Sequence, residues 1–279
     1  MVVLKLGGEL LETAEGRARI AGLAASIANA GPLVVIHGGG RAIDAELQRR
    51  SIAPKKVDGL RVTDAATLDA VVAVLGGSAN TELVAALVAA GVQAVGLTGV
   101  DAGFGRARRA RAHRSTSGAV VDLGLVGDPA DVDVSLIELL IGRGYVPVVA
   151  SLGIDEADRS TVLNVNADVM ACRIASALDA ADVIIAGATA GVFDESGQTI
   201  VQLDGEGIDR MIADKSATAG MIAKLTACRD ALHGGAATVR IVDGRALTTA
   251  EDLRKAPGTE IVAGPAEAGH HVRSRSVRL

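Results

Sequence analysis

The chain has 279 residues, 49% hydrophobic and 22% charged, which supplies a sizeable core and excludes a disordered chain. Phe104, Phe193 and Tyr145 are its whole aromatic set, which excludes a base-stacking nucleic-acid platform or an aromatic sugar site. A formal charge of −5 gives no global pull toward nucleic acid or an anionic membrane.

Short apolar runs then alternate with helical patterns along the chain. Val2–Leu6 predicts a buried strand, and the glycines that follow it come too early for a signal peptide. Residues 12–30 predict a helix closed by Gly31-Pro32. Leu33–His37 reads as the next strand, running through Gly38-Gly39-Gly40 into a helix over 41–50. Helices over 64–75 and 80–90 precede a strand over 93–97, and no uncharged apolar stretch reaches membrane-spanning length. Residues 103–126 lack helical periodicity and carry Arg106, Arg108, Arg109, Arg111, His113 and Arg114. They read as a hairpin or excursion whose charge is either a solvated face or an anion-steering one.

A helix over 133–143, a strand over 145–150, a helix over 167–178 and a strand over 182–186 follow. A helix over 218–233, a strand over 238–242 and a loose arginine-rich tail over 269–279 complete the chain. Alternating β and α with fully apolar strands predicts an α/β fold, a mainly parallel central sheet sandwiched by helices in three layers. Polar residues 153–160 ahead of a new helix place a seam there, dividing lobes 1–165 and 166–279. Cys172 and Cys228 sit in apolar helical patterns and read as buried free thiols of a reducing cytoplasm.

Five features carry chemistry. Lys5 interrupts an apolar strand, a costly place unless its ammonium meets an anion or snorkels from an edge strand, and Gly7-Gly8 behind it allow close backbone approach. His37-Gly38-Gly39-Gly40 ends a strand and opens a helix, a ready anion cradle or a tight turn. It is not a dinucleotide fingerprint, since Ile43 stands where glycine is needed, and the chain holds neither a Gly-Lys pair nor a GxSxG elbow. Arg61, just before the N-cap candidates Thr63 and Asp64, offers a planar fork to a carboxylate or simply lies at the surface. Asn164, Asn166 and Asp168 share one side of an extended segment at a helix mouth, where capping alone explains one polar residue and not three. Lys224 falls in the first turns of a helix, opposing its dipole, a favourable place only beside an anion such as phosphate.

Together these strings resemble the amino-acid kinase family over nearly the whole chain. The matched strings are Lys5-Leu6-Gly7-Gly8, His37-Gly38-Gly39-Gly40, Gly59-Leu60-Arg61-Val62-Thr63, Val121-Asp122-Leu123-Gly124, Asn164-Val165-Asn166-Ala167-Asp168, Gly220-Met221-Ile222-Ala223-Lys224 and Gly258-Thr259-Glu260-Ile261. The resemblance implies transfer of the γ-phosphoryl of ATP, with Mg2+ held mainly by the phosphates and water, to a side-chain carboxylate. Gly-Leu-Arg-Val-Thr points to the γ-carboxylate of N-acetyl-L-glutamate, on the route to arginine. By residue match, Lys5 and Lys224 would stabilise the transferring phosphoryl, Asp168 would hold both lysines, and the Gly8 and Gly39 amides would complete the cradle. Gly39, Gly40, Arg61, Asn164 and Asn166 would bind the acceptor, Arg61 on its α-carboxylate. The nucleotide would lie along Gly187, Ala188, Gly191, Val192 and Phe193 and along Ser216, Ala217 and Thr218. No protein metal ligand is implied.

Three positions depart from the family pattern: Ala188 stands where Asp is usual, Ala219 replaces the first glycine before Met-Ile, and Val100 replaces the lysine of a Ser-Gly-Lys-Asp string. Two alternatives stay open, the first on the basic run Arg106–Arg114, which suits an acidic carrier protein, and the second on Ala188 and Ala219. One is a carrier-protein-linked α-aminoadipate kinase, which would show Ser and an aromatic residue where Leu60 and Val62 flank Arg61. The other is a catalytically weak binding or regulatory protein on the same scaffold. The first strand begins at Val2, which leaves no room for the additional N-terminal helix of arginine-inhibited, hexameric members. The expectation is a cytoplasmic homodimer joined through the N-terminal half and insensitive to arginine, with no nucleic-acid or membrane partner.

Overall fold

The computed structural model describes residues 1–110, 112–115, 118–214, 219–234, 236 and 238–262, so the tail expected over 269–279 lies outside the described residues. The chain opens with β1 (Val2–Leu6), a 3-10 turn at Gly8–Leu10, α1 (Ala14–Ala30), β2 (Leu33–His37) and α2 (Gly40–Arg49). A short ribbon, β3 (Lys56–Val57) and β4 (Leu60–Arg61), leads to α3 (Ala65–Val72), a π-helical stretch Ala73–Ala79, α4 (Asn80–Ala89) and β5 (Ala94–Thr98). Then come β6 (Gly105–Arg109), β7 (His113–Arg114), β8 (Val120–Val121), β9 (Val126–Val132), α5 (Ser135–Gly142), β10 (Val146–Ala150), β11 (Leu152–Asp155) and β12 (Val162–Val165). The rest is α6 (Ala167–Ala177), β13 (Asp182–Gly187), β14 (Gln202–Leu203), α7 (Gly205–Ala213), α8 (Ala219–His233), β15 (Thr238–Asp243), α9 (Ala250–Lys255) and β16 (Gly258–Ile261).

The central sheet has eight strands in the order β14-β16-β15-β13-β1-β2-β10-β5, and its pairs are parallel except β15–β16. Strand periodicity sorts the side chains between its two faces. Leu4 and Leu6 of β1 join Val35, Val148 and Ile184 in one core with Ile20 and Leu23 of α1 and Leu83 and Leu87 of α4. Val3 joins Val34, Val149 and Val183 in the other core, with Ile174 of α6 and Leu225 of α8. Lys5 has the parity of Val3, so its side chain leaves the sheet on the side of α6 and α8. That parity decides the chemistry described below.

Two expectations change. Gly76-Gly77 does not separate two helices, because α3 and α4 run on through the π-helical stretch as one helix, Ala65–Ala89. A Cβ on Gly76 would stand at an ordinary 3.5 Å from Leu152 Cδ1 and Thr98 Cγ2 and one on Gly77 would meet nothing within 4 Å, so space does not call for glycine there. Burial of Val74, Leu75 and Leu83 on either side holds the helix together. By length and composition this helix could cross a membrane, yet it lays Val71, Val74, Leu75, Leu83 and Leu87 into the core. The excursion over 103–126 is only partly a hairpin. β7 and β8 form that hairpin, while β6 closes a small four-stranded barrel with β9, β12 and β11. The polar segment 153–160 runs from β11 of this barrel into the connection to β12, which pairs antiparallel with it.

Candidate active site

The carboxyl ends of parallel strands in an open α/β sheet form a crevice, the usual place for a ligand. Here β1 ends in Lys5-Leu6-Gly7, β2 in His37 and the three glycines, and α6 begins beside them. Lys5 is 8% exposed, and β1 runs between β13 and β2, so snorkelling from an edge strand is overturned. Its Nζ meets Asp168 Oδ1 at 2.8 Å, and Lys224 Nζ approaches Asp168 Oδ2 at 3.8 Å. Burial pushes the Asp168 carboxyl up, but the two ammonium groups outweigh it and hold the carboxyl below its ordinary range. Asn166 caps α6, its Oδ1 accepting from the amides of Asp168 at 2.8 Å and Val169 at 3.3 Å. This fixes Asp168 in the first helical turn, facing both lysines.

The glycine cradle is backbone against backbone. A Cβ on Gly8 would fall 2.9 Å from Gly39 Cα, a contact neither chain segment could yield to. Gly39 precedes α2 with no side-chain cap, so the opening amides of that helix keep their donors toward the cleft. His37 is fully buried beneath them, its Nδ1 3.2 Å from Gly38 O, and burial lowers its pKa to about 4. It is a neutral structural group, not a base.

Across the cleft, Arg61 is 8% exposed and far from a surface arginine. Its Nη2 donates to Gly40 O at 3.1 Å and pairs with Asp44, whose other oxygen holds Lys56 Nζ at 2.7 Å. Burial pushes the Asp44 carboxyl up, but its bonds to Lys56 and Arg61 prevail and lower it. Among the described residues Arg61 Nη1 is buried with no hydrogen-bond partner, an orphaned donor that calls for an anion. Asn164 is held by its Nδ2 donating to Thr63 Oγ1 at 3.2 Å. One cavity of about 440 Å³ is lined by Lys5, Gly8, Gly39, Gly40, Arg61, Asn164, Asn166 and Asp168 together. Its lining also includes His113 of the basic run, and Glu9, Lys56 and Asp128, which sequence reasoning left out. His113 Nε2 lies 2.8 Å from Asp58, and burial pushes the Asp128 carboxyl up against the opposing charge of His113.

The nucleotide set is less convergent. Gly187 ends β13, and the amide of Ala188 donates to Glu9 Oε1 at 3.0 Å. Gly191 has φ +117 and a Cβ there would meet Thr259 Oγ1 at 2.6 Å, so glycine is required. Val192 is 1% exposed with its side chain in the core, while its amide donates to Thr259 Oγ1 at 2.8 Å. Phe193 lines a second cavity of about 570 Å³ with Asp204, Arg210, Met211 and Asp214, none of which the sequence suggested. Ser216, Ala217 and Thr218 lie outside the described residues.

Residues 1–243 match the model of the amino acid kinase family. An acetylglutamate kinase of Stutzerimonas stutzeri (strain A1501) is 37% identical over 251 residues, covering 88% of this chain and 82% of that one. The acetylglutamate kinase of Symbiobacterium thermophilum is 40% identical over 249 residues, 88% of this chain and 84% of its own length. The crystal structure of smu.665 from Streptococcus mutans UA159 superposes with a TM-score of 0.77 at 27% identity, covering 94% of this chain and 98% of that one.

Proposed function

The chain belongs to the amino acid kinase family, and we propose that it transfers the γ-phosphoryl group of ATP to the γ-carboxylate of N-acetyl-L-glutamate, giving an acyl phosphate. The observation that carries this reading is one cleft lined by Lys5 and Asp168, the carboxylate that Lys224 also approaches, and by Arg61 with its orphaned donor. An acceptor with two carboxylates offers one to each.

Two anions have to meet, so fixed positive charge and amides are the remedy, and a carboxylate nucleophile already ionised at neutral pH needs no general base. Arg61 binds the α-carboxylate through Nη1, with Asn164 beside it. Lys5, Lys224 and the amides around Gly8, Gly39 and Gly40 stabilise charge on the phosphoryl oxygens as it moves. Asp168 keeps the two ammonium groups in place and stays ionised. Among the described residues no three metal-ligating side chains converge, and the donor set beside Lys5 is carboxylate oxygen, which suits Mg2+ arriving with the triphosphate. When bound, Mg2+ supplies further neutralisation of the phosphates.

The nucleotide lies on the C-terminal lobe, 166–279, reaching from the Gly187–Ala188 turn toward the cavity beside Phe193, Asp204 and Arg210. The acceptor and the dimer contact belong to 1–165. Val72 and Val88, exposed on the long apolar helix, with Leu139 and Tyr145 and the open edge at β5, support a homodimer through that lobe. Buried free thiols support a reducing, cytoplasmic setting. A thermal-shift titration tests the reading against a binding protein without activity. Stabilisation by Mg-ATP and by N-acetylglutamate is expected, and no response to any nucleotide would sink it.

A further inference from the structure

Glu9 has no role in the chemistry above, yet its carboxylate stands in the phosphoryl cleft. It lines the cavity with Lys5, Gly8 and Asp168, and it follows directly on the Gly8 turn. Two glycines make room for it. A Cβ on Gly7 would fall 2.3 Å from Glu9 Oε1, and one on Gly187 would fall 3.2 Å from the same atom. The Ala188 amide anchors Oε1 at 3.0 Å, and among the described residues Glu9 forms no ion pair and its Oε2 accepts no hydrogen bond.

Charge makes this placement costly when a nucleotide arrives. Among the described residues Lys5 and Lys224 both meet Asp168 and neither pairs with Glu9, which adds a second carboxylate to the cleft. An unpaired carboxylate beside phosphates repels them unless a cation lies between. Mg2+ is characteristically held by one or two carboxylates together with substrate phosphates and water.

We propose that Glu9, anchored through Oε1 on the Ala188 amide, presents Oε2 to the Mg2+ of the bound nucleotide, directly or through one of the metal's waters. Glu9 thereby makes the site selective for the magnesium complex over free ATP. The inference rests on ATP being the donor.

The test is binding, not turnover. Titration calorimetry without acceptor compares ATP in excess EDTA with ATP in saturating Mg2+, for the wild type and for Glu9→Gln. Glutamine keeps an oxygen for the Ala188 amide and removes only the charge, so a purely structural role leaves the ratio of the two affinities unmoved. The wild type is expected to prefer Mg-ATP, and Glu9→Gln to lose about tenfold of that preference, chiefly by binding free ATP better. An unchanged ratio in Glu9→Gln would overturn the role of Glu9 and leave the donor reading standing. Wild-type protein that bound neither form would overturn both.

Discussion

Lys5 Nζ and Asp168 Oδ1 lie 2.8 Å apart, one from the middle strand of the sheet and one from the first turn of α6. The same carboxylate faces Lys224 at 3.8 Å, so one buried anion holds two cations, which in the proposed reaction meet the charge on the moving phosphoryl group. Lys5→Ala and Lys224→Ala should each lower kcat by roughly 10²- to 10³-fold, the size of losing one preorganised donor, with little change in acceptor KM. Steady-state kinetics decide it, and an unchanged kcat removes that lysine from the mechanism.

In the proposed reaction Arg61, held by Asp44, binds the other end of the acceptor. The α-carboxylate keeps its charge throughout the reaction, so Arg61→Ala should raise the KM for N-acetylglutamate with a much smaller effect on kcat. Asp44→Asn leaves Arg61 charged but loosens its Nη2, and should raise the same KM by a smaller factor without moving the KM for ATP. A loss confined to kcat in either variant would contradict the assignment.

His37 makes stability depend on pH. Its folded-state pKa is about 4 against an ordinary 6.5, so between these values the unfolded chain binds a proton that the native one does not. Stability therefore falls as pH drops below 6.5 and levels off near 4, by roughly 3 kcal/mol in all. Urea unfolding from pH 7.5 downward should show this slope, reduced in His37→Gln. Equal slopes in the two proteins would assign the pH dependence elsewhere.

Val88 is 55% exposed on a helix whose other side is core, beside the open edge of the sheet. Light scattering should give a dimer for the wild type and a shift toward monomer for Val88→Glu. A monomeric wild type would show that this face stays bare.

Much of the site was legible because chemistry forced unusual residues into recognisable places. A lysine in an apolar strand, three glycines at a helix start and three polar residues at a helix mouth are each hard to explain as structure alone, and the cavity brings them together. What was hidden depends on partners distant along the chain. Asp44 looks like any polar residue of an amphipathic helix until Arg61 and Lys56 fold onto it. Glu9 looks like a turn carboxylate until β13 delivers Ala188. The small barrel escaped because β9 carries Pro129 and aspartates at 128 and 131 in a strand of seven residues, a pattern that reads as loop. Gly76-Gly77 misled in the opposite direction, since a propensity for breaking a helix yields to the burial of Val74, Leu75 and Leu83 on either side.

The most direct test of the account is an acyl-phosphate trap with hydroxylamine, run with Mg-ATP and each of N-acetyl-L-glutamate, glutamate, aspartate and α-aminoadipate. A hydroxamate that forms with N-acetyl-L-glutamate far faster than with the other three, and is lost in Lys5→Ala, is the result this structure predicts. No hydroxamate with N-acetyl-L-glutamate, or a faster reaction with a free amino acid, would contradict it.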